Sequence, residues 1–315
     1  MTRPAYGVIE TARVRHRVLA AGSGPPVILL HGFPEGAYSW RHQVSALAAA
    51  GFRAIAPDQR GYAGAEPIVR VEGHDHVELA LDVIALLDAI GAERAALVAH
   101  DWGASLAWNA ALLHPARISS VVALSVPYGG RSKDPPIATF KELFGDVFFY
   151  MLHFQTPGVA EAELEANVRE SLRSFYRSSS GDGPERRFFP RTARLLETLD
   201  APPGLPGWLS EEDLQHFTAS FEASGFAGPL GWYRSMDRTW ERTERLAGAK
   251  VVQPALFLAG ARDPVIAFGA RALERMPRLV PNLAGVRLLD GVGHWTQQER
   301  PAEVSREIVD FLRNH

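Results

Sequence analysis

The sequence has no cysteine among its 315 residues. Disulfide bridges, thiolate nucleophiles and metal sites built from cysteine are therefore excluded. A dominant charge is also missing, because 33 lysine and arginine residues are balanced by 36 aspartate and glutamate residues, for a formal net charge of −3. This balance provides no basic surface, so we expect neither nucleic acid nor an anionic membrane as a partner.

Long apolar runs are absent as well. Residues 1–18 contain no stretch that could form the core of a signal peptide, so we expect a cytoplasmic protein. The longest apolar stretches, such as Val27–Leu30 and Ala95–Ala99, are far too short to cross a bilayer, and no membrane insertion is expected. The length and the 46% of apolar residues are ordinary for a globular chain with a full core.

Short apolar runs alternate with helical patterns along most of the chain. Most runs are nearly continuous in valine, isoleucine, leucine and alanine, as in strands that are buried on both faces of a parallel sheet. The predicted strands are 13–19, 27–30, 53–56, 95–99, 121–125, 255–259 and 286–289. Strand–helix alternation of this kind predicts a doubly wound α/β sheet.

The alternation stops between about Pro127 and Leu246. This region is rich in aromatic residues and helical patterns, and turn residues interrupt it at 181–184 and 201–207. Strand patterning returns at Val251. We therefore predict two domains, a core formed by residues 1–127 and 248–315 and a helical cap of residues 128–247 inserted into it.

A sharp turn is predicted at Asp101, between an apolar strand and a helix rich in alanine and leucine. Small residues flank Asp101 at positions 99 and 103, which is the pattern of the nucleophile elbow of α/β hydrolases with aspartate in place of serine. The predicted fold is therefore the α/β-hydrolase fold, with a mostly parallel sheet flanked by helices. The alternative is that Asp101 only caps the helix that follows it.

The choice of aspartate constrains the reaction. A serine that attacks a saturated carbon forms an ether, which water does not cleave. A carboxylate that attacks the same carbon forms an ester, which can be hydrolysed at its own carbonyl. Asp101 therefore indicates displacement at a saturated carbon rather than an esterase or a protease.

Two further residues complete a triad. Asp263 follows the predicted strand 255–259, and His294 lies in a glycine-rich loop before the last helix. The order nucleophile, acid, histidine is that of α/β hydrolases, with the acid holding one imidazole nitrogen while the other activates water. Taken singly, Asp263 could be a turn residue and His294 an ordinary loop histidine.

The segment His31–Glu35 follows the second predicted strand. We expect an oxyanion hole formed by the backbone N–H groups of Phe33 and of Trp102, the residue after the nucleophile. His31 itself is predicted to be structural. His74 and His76 flank Asp75 without a further ligand pattern, so no metal site is predicted, and no cofactor is needed.

Two cap tyrosines, Tyr150 and Tyr233, are candidates for a proton donor to a leaving oxygen. A phenol with a pKa near ~10 can donate without being ionised at rest. The alternative is that both are aromatic filler in a cap rich in aromatic residues.

Several segments together resemble the soluble epoxide hydrolase family. They are His31–Glu35, His100–Gly103, Phe154–Glu165, Gly228–Arg234 and Gly293–Gln297. The resemblance implies that an epoxide is hydrolysed to a vicinal diol, with Asp101 as nucleophile, His294 as base and Asp263 as its partner. It also implies that Tyr150 and Tyr233 are the ring-opening acids.

The chain departs from the family in two places. Residues 61–66 replace the usual glycine-rich loop, and we expect no catalytic consequence. Met151 stands where the mammalian enzyme has a polar residue, and His153 is a competing proton donor, so substrate preference stays open. The predicted pocket residues are Phe33, Trp102, Met151, Phe154, Trp232 and Trp295.

Two rival functions are weighed against this one. A haloalkane or haloacid dehalogenase uses the same aspartate, and Trp102 would suit a halide, but Phe33 replaces the usual halide-binding asparagine. A ligand receptor on the hydrolase fold would need a broken triad. We expect a small apolar epoxide as substrate, and leave homodimer formation open.

Overall fold

A central sheet organises the chain in the computed structural model, which describes residues 3–62, 73–185 and 187–315. Residues 63–66 of the loop noted above lie outside the described residues. The strands are β1 (Ala5–Glu10), β2 (Arg15–Ala21), β3 (Pro26–Leu30), β4 (Arg53–Pro57), β5 (Ala95–His100), β6 (Ile118–Leu124), β7 (Ala255–Gly260) and β8 (Leu283–Leu289).

The strand order is β1-β2-β4-β3-β5-β6-β7-β8. β1 and β2 pair antiparallel, as do β2 and β4, and every other neighbouring pair is parallel. The seven predicted strands correspond to β2–β8, and the predicted fold class is confirmed. β1 was not predicted, because this edge strand is mostly exposed and so has no continuous apolar run.

Helices cover both faces of the sheet. The α-helices of the described residues are α1 (Arg41–Ala49), α2 (His76–Ala89), α3 (Trp102–Leu113), α4 (Pro136–Phe144), α5 (Tyr150–His153), α6 (Val159–Glu165), α7 (Val168–Ser178), α8 (Leu195–Leu199), α9 (Glu211–Ser224), α10 (Ala227–Arg234), α11 (Met236–Arg242), α12 (Pro264–Phe268), α13 (Ala270–Leu279), α14 (Thr296–Glu299) and α15 (Pro301–Asn314). α1 and α15 pack on one face and α2 and α3 on the other. Alternate residues of each inner strand enter the two cores, which explains the continuous apolar runs.

The helices α4–α11 lie in the chain between β6 and β7, where the cap is predicted. Polar contacts join them to the rest of the molecule. Asp75, fully buried before α2, pairs with Arg238 at 3.0 Å and with Arg242 at 2.7 Å, and the indole N–H of Trp232 donates to the carbonyl of Arg60 at 3.0 Å. Among the described residues, no helix has the length and apolar character needed to span a bilayer.

The parallel strands bring the predicted catalytic residues to one edge of the sheet. Asp101 follows β5, Asp263 follows β7 and His294 follows β8, while Phe33 follows β3. Because the carboxyl ends of parallel strands lie at the same edge, residues that are far apart in sequence meet there.

Candidate active site

The turn at Asp101 holds its backbone in an unusual conformation. Asp101 has φ 51° and ψ −120°, between the end of β5 and the first residue of α3. Such a conformation is rare for a residue other than glycine and persists only where the surrounding structure imposes it. The turn directs the carboxylate to the sheet edge and sets it at the N-terminus of α3, where the helix dipole favours a negative charge.

Two glycines allow the close packing around this turn. A Cβ atom on Gly103 would lie 2.2 Å from the backbone oxygen of Leu30, and one on Gly32 would lie 2.4 Å from the Asp101 side chain. Both distances are far shorter than any van der Waals contact. A side chain at position 103 would therefore separate α3 from β3, and one at position 32 would separate the His31–Glu35 segment from Asp101.

One of the two backbone N–H groups predicted for the oxyanion hole contacts Asp101. The backbone N–H of Phe33 donates to Oδ1 of Asp101 at 2.9 Å. Trp102 begins α3, so its N–H belongs to the helix's N-terminal donors, which have no intrahelical partner. His31 is structural, as predicted: it is fully buried, and its Nε2 accepts from the backbone N–H of Gln59 at 3.1 Å.

His294 lies between two carboxylates. Its Nδ1 is 3.1 and 3.2 Å from the two oxygens of Asp263, and its Nε2 is 3.8 Å from Oδ2 of Asp101. Burial by itself would lower the pKa of His294, but the charges of Asp263 and Asp101 raise it to about 9. Burial likewise opposes ionisation of Asp263, but the charge and hydrogen bond of His294 lower its pKa. The carboxyl groups on either side of His294 therefore favour its protonated form.

A second buried pair supports this arrangement, and the sequence analysis gave it no role. Nδ1 of His100 is 2.8 Å from Oε2 of Glu35, and Nε2 of His100 is 2.8 Å from the carbonyl oxygen of His294. Burial opposes the charge of Glu35, but His100 lowers its pKa. Glu35 also accepts from the backbone N–H of Gly32 at 3.1 Å. The pair thus links the His31–Glu35 segment to the loop that carries His294. The signal for it in the sequence was His100, a histidine at the end of an otherwise apolar strand.

Both candidate tyrosines reach the site. Tyr150 and Tyr233 line the same cavity as Asp101, and their ring centroids are 6.0 Å apart. Burial and then the charge of Asp101 raise the pKa of Tyr233 well above its ordinary value, so its hydroxyl stays protonated. His153, the competing donor, is absent from the residues that line this cavity and lies 3.6 Å from Glu163.

Two cavities reach Asp101 and Tyr150. The first has a volume of about 270 Å³, and Phe33, Trp295 and His294 form part of its inner wall. The second has a volume of about 350 Å³ and is lined in part by Trp102 and Met151. Further phenylalanines line the first cavity. They include Phe144, Phe148, Phe149, Phe188, Phe189 and Phe268.

Phe154 and Trp232, predicted as pocket residues, lie behind these walls and are absent from the lining of both cavities. Phe154 is fully buried against the rings of Phe33 and Tyr233. Trp232 is also buried, and its indole N–H donates to the carbonyl of Arg60. Their size and aromatic character indicated burial, but the sequence did not distinguish the wall of a cavity from the layer behind it.

The His74–His76 segment has structural contacts. Asp75 is paired with two arginines, and Nδ1 of His76 is 3.0 Å from the side-chain nitrogen of Asn109. A search of the described residues found no cluster of three or more histidine, aspartate or glutamate side chains suited to hold a metal ion.

Comparison with known proteins identifies the family. Residues 25–301 match the family model of the alpha/beta hydrolase fold. Epoxide hydrolase A of Mycobacterium tuberculosis is 45% identical over 318 aligned residues, which cover 99% of this chain and 98% of that protein. This chain belongs to the epoxide hydrolase family. Bifunctional epoxide hydrolase 2 of Sus scrofa is 36% identical over 95% of this chain and 53% of that protein.

Solved epoxide hydrolase structures have the same architecture. Epoxide Hydrolase A from Mycobacterium thermoresistibile superposes with a TM-score of 0.94 at 48% identity, covering 98% of both chains. An epoxide hydrolase from an endophytic Streptomyces superposes with a TM-score of 0.96 at 40% identity, covering 99% of this chain and 96% of that one. These relatives do not favour the dehalogenase alternative.

We expect Gly103→Ala to disturb the epoxide hydrolase site through packing. The new Cβ would meet the Leu30 carbonyl, which is backbone and cannot rotate away, so the free energy of unfolding should fall by about 1–3 kcal/mol. Displacement of Asp101 should lower activity as well. Thermal unfolding and turnover are compared with those of Gly207→Ala, whose Cβ would meet nothing within 4 Å. Equal stability of the two variants would contradict the close approach of α3 and β3.

Proposed function

We propose that this member of the family hydrolyses a small apolar epoxide to a vicinal diol through a covalent ester on Asp101. The observation that carries the proposal is one cavity that contains a carboxylate at the nucleophile position, two tyrosines and a histidine held by a second carboxylate. Each of these groups matches one requirement of epoxide opening followed by ester hydrolysis.

In the first step, Oδ2 of Asp101 attacks an epoxide carbon. Oδ1 already accepts the Phe33 N–H, which leaves Oδ2 on the side of His294 as the attacking oxygen. The carbon–oxygen bond of the epoxide breaks, and its electron pair goes to the epoxide oxygen.

The epoxide oxygen must receive a proton as the ring opens. Tyr150 and Tyr233 approach the cavity from α5 and α10, so one hydroxyl can donate the proton while the other hydrogen-bonds the same oxygen. General acid catalysis of this kind contributes ~10²–10⁴ in rate. The raised pKa of Tyr233, caused by burial and by Asp101, keeps the donor protonated until the oxygen becomes basic.

In the second step, His294 activates water. Ester formation removes the charge of Asp101, one of the two carboxylates that raise the pKa of His294. The imidazolium can then give up its proton, which replaces the one donated by tyrosine. Neutral Nε2 takes a proton from water, and the hydroxide attacks the Asp101 carboxyl carbon. Oδ1 becomes the oxyanion, held by Phe33 N–H and, in our proposal, by Trp102 N–H. The intermediate then collapses: the bond between the Asp101 carboxyl carbon and the diol oxygen breaks, and His294 gives that oxygen the proton it took from water. The remaining acid proton of Asp101 passes to His294, which restores the carboxylate.

The cavity walls favour a lipophilic or aryl epoxide. Aromatic side chains dominate the first cavity, and aliphatic and aromatic groups such as Met151 and Trp240 line part of the second. We also propose that residues 128–247 act as the cap domain on a core of residues 1–127 and 248–315, since both tyrosines come from this region. The cytoplasmic location and the homodimer stay predictions.

A paired assay on the purified protein tests the proposed function. Aryl and alkyl epoxides form one substrate panel and haloalkanes with haloacetate form the other, and diol and released halide are both measured. Diol without halide is expected. Halide without diol would assign the chain to dehalogenation, and the absence of both from folded protein would favour a ligand receptor.

The variant His294→Gln should accumulate the ester. Asp101 can still open the epoxide, but no base activates water, so intact-protein mass spectrometry should find an increase equal to the mass of the substrate. Asp101→Ala in the same background is the control and should carry no adduct. If folded His294→Gln shows no adduct at any incubation time, the covalent route is wrong.

Replacing both tyrosines tests their role as acids. The double variant Tyr150→Phe, Tyr233→Phe should form the ester at least ~10²-fold more slowly while keeping its fold, since only two hydroxyls are lost. Tyr128→Phe is the matched control, because Tyr128 lines the second cavity but its hydroxyl donates to the carbonyl of Ala249 at 3.0 Å. If the double variant forms the ester at the wild-type rate, both tyrosines only line the cavity and neither acts as an acid.

A further inference from the structure

Ser125 occupies a strained turn directly after β6. Its φ is 74°, and the backbone N–H of Val126 donates to the carbonyl of Leu124 at 2.9 Å. A hydrogen bond that spans one residue with a positive φ defines the rare, strained form of the γ-turn. The described residues contain three non-glycine positions with positive φ, which are Asp101, Ser125 and Asp200. The first of them is the nucleophile, so the second calls for an explanation in terms of function.

The neighbouring structure holds this turn in place. Ser125 is fully buried, and its backbone N–H donates to the carbonyl of Leu258 in β7 at 2.9 Å. The indole N–H of Trp108 donates to the carbonyl of Val126 at 3.0 Å. Contacts from β7 and α3 therefore fix the backbone on both sides of the serine.

The turn directs the serine hydroxyl to the triad. Oγ of Ser125 is 3.1 Å from Nδ1 of His294, the nitrogen that also contacts both oxygens of Asp263. A hydroxyl has one donor and two acceptor sites, so Ser125 can donate to the carboxylate while accepting from the imidazole N–H. A hydrogen bond from Ser125 is among the interactions that lower the pKa of Asp263.

We propose that Ser125 is a positioning residue that joins Asp263 to His294 and holds the imidazole for water activation. This inference rests on the proposed function, because it concerns the second step of that reaction. Ser125 does not line either cavity that reaches Asp101, so its hydroxyl acts through His294 and Asp263 rather than on the epoxide.

The two steps of the reaction depend on this hydroxyl to different degrees. Ring opening needs the charge of Asp101 and the two tyrosines, whereas ester hydrolysis needs Nε2 of His294 aimed at a water. Loss of the Ser125 hydroxyl therefore slows ester hydrolysis more than ester formation. A residue with only a role in folding would lower stability and would not separate the two steps.

The test compares Ser125→Ala, Ser125→Gly and the control Ser120→Ala. Ser120 is buried in β6, the strand that Ser125 follows, and its side chain has no hydrogen bond to Asp263 or His294 in the described structure. Formation and decay of the ester are followed by rapid quenching and mass spectrometry with an epoxide that the wild type converts. Both Ser125 variants should hydrolyse the ester about tenfold more slowly, the loss expected for a hydrogen bond to a charged group, and the ester should accumulate.

The glycine variant separates catalysis from folding. Glycine adopts a positive φ without strain, so Ser125→Gly should melt at or above the temperature of Ser125→Ala while hydrolysing the ester as slowly. In the background of Asp263→Asn, removal of the hydroxyl should have little further effect, because both act on the same imidazole. The pH profile of ester decay should also shift in the Ser125 variants but not in Ser120→Ala.

Two outcomes would overturn the inference. One is wild-type ester decay in both Ser125 variants, and the other is an equal slowing of both steps accompanied by loss of stability. Failure of the proposed function itself looks different, because the wild type would then form neither diol nor a trapped ester with any epoxide.

Discussion

The strained turn at Asp101 is the constraint on which the rest of the site depends. A positive φ at this position directs the carboxylate away from the sheet, and it persists because α3 packs against β3 through Gly103 with no space for a side chain. The same packing brings the Phe33 N–H to 2.9 Å from Oδ1. One backbone conformation therefore sets the direction of the Asp101 carboxylate, its exposure to the cavity and its place beside the Phe33 N–H.

Charge balance is the second organising feature. His294, between Asp263 and Asp101, has its pKa raised by their charges against the opposing effect of burial, and Glu35 and His100 form a further buried pair behind it. Buried charges are tolerated only when they are paired, so each carboxylate at this site requires its histidine. In the proposed mechanism, esterification of Asp101 removes one of these charges and thereby lowers the proton affinity of His294.

The segment between β6 and β7 contributes more than the two tyrosines. The carbonyl of Ser179 accepts the backbone N–H of His294 at 2.8 Å, and the Tyr176 hydroxyl donates to the carbonyl of Pro34 at 2.7 Å. The histidine loop and the oxyanion segment therefore both rest on this helical region. The same helical region lines the cavity and hydrogen-bonds the segments that carry Phe33 and His294. A change in the shape of the cavity would therefore also change the alignment of His294.

The sequence by itself determined the fold class and seven of the eight described strands, because these depend on local patterns of apolar runs. It also predicted that Asp101, Asp263 and His294 come together, because small residues at a turn and the order of strand ends are visible in the chain. It did not reveal β1, the pairing of Glu35 with His100, or the burial of Phe154 and Trp232 behind the cavity. Ser125 and His294 are separated by 169 positions, and only the parallel pairing of β6, β7 and β8 brings them together. Contacts of this kind were decided by the tertiary structure, because strand order and side-chain packing are set by the whole sheet and leave no periodic trace in the chain.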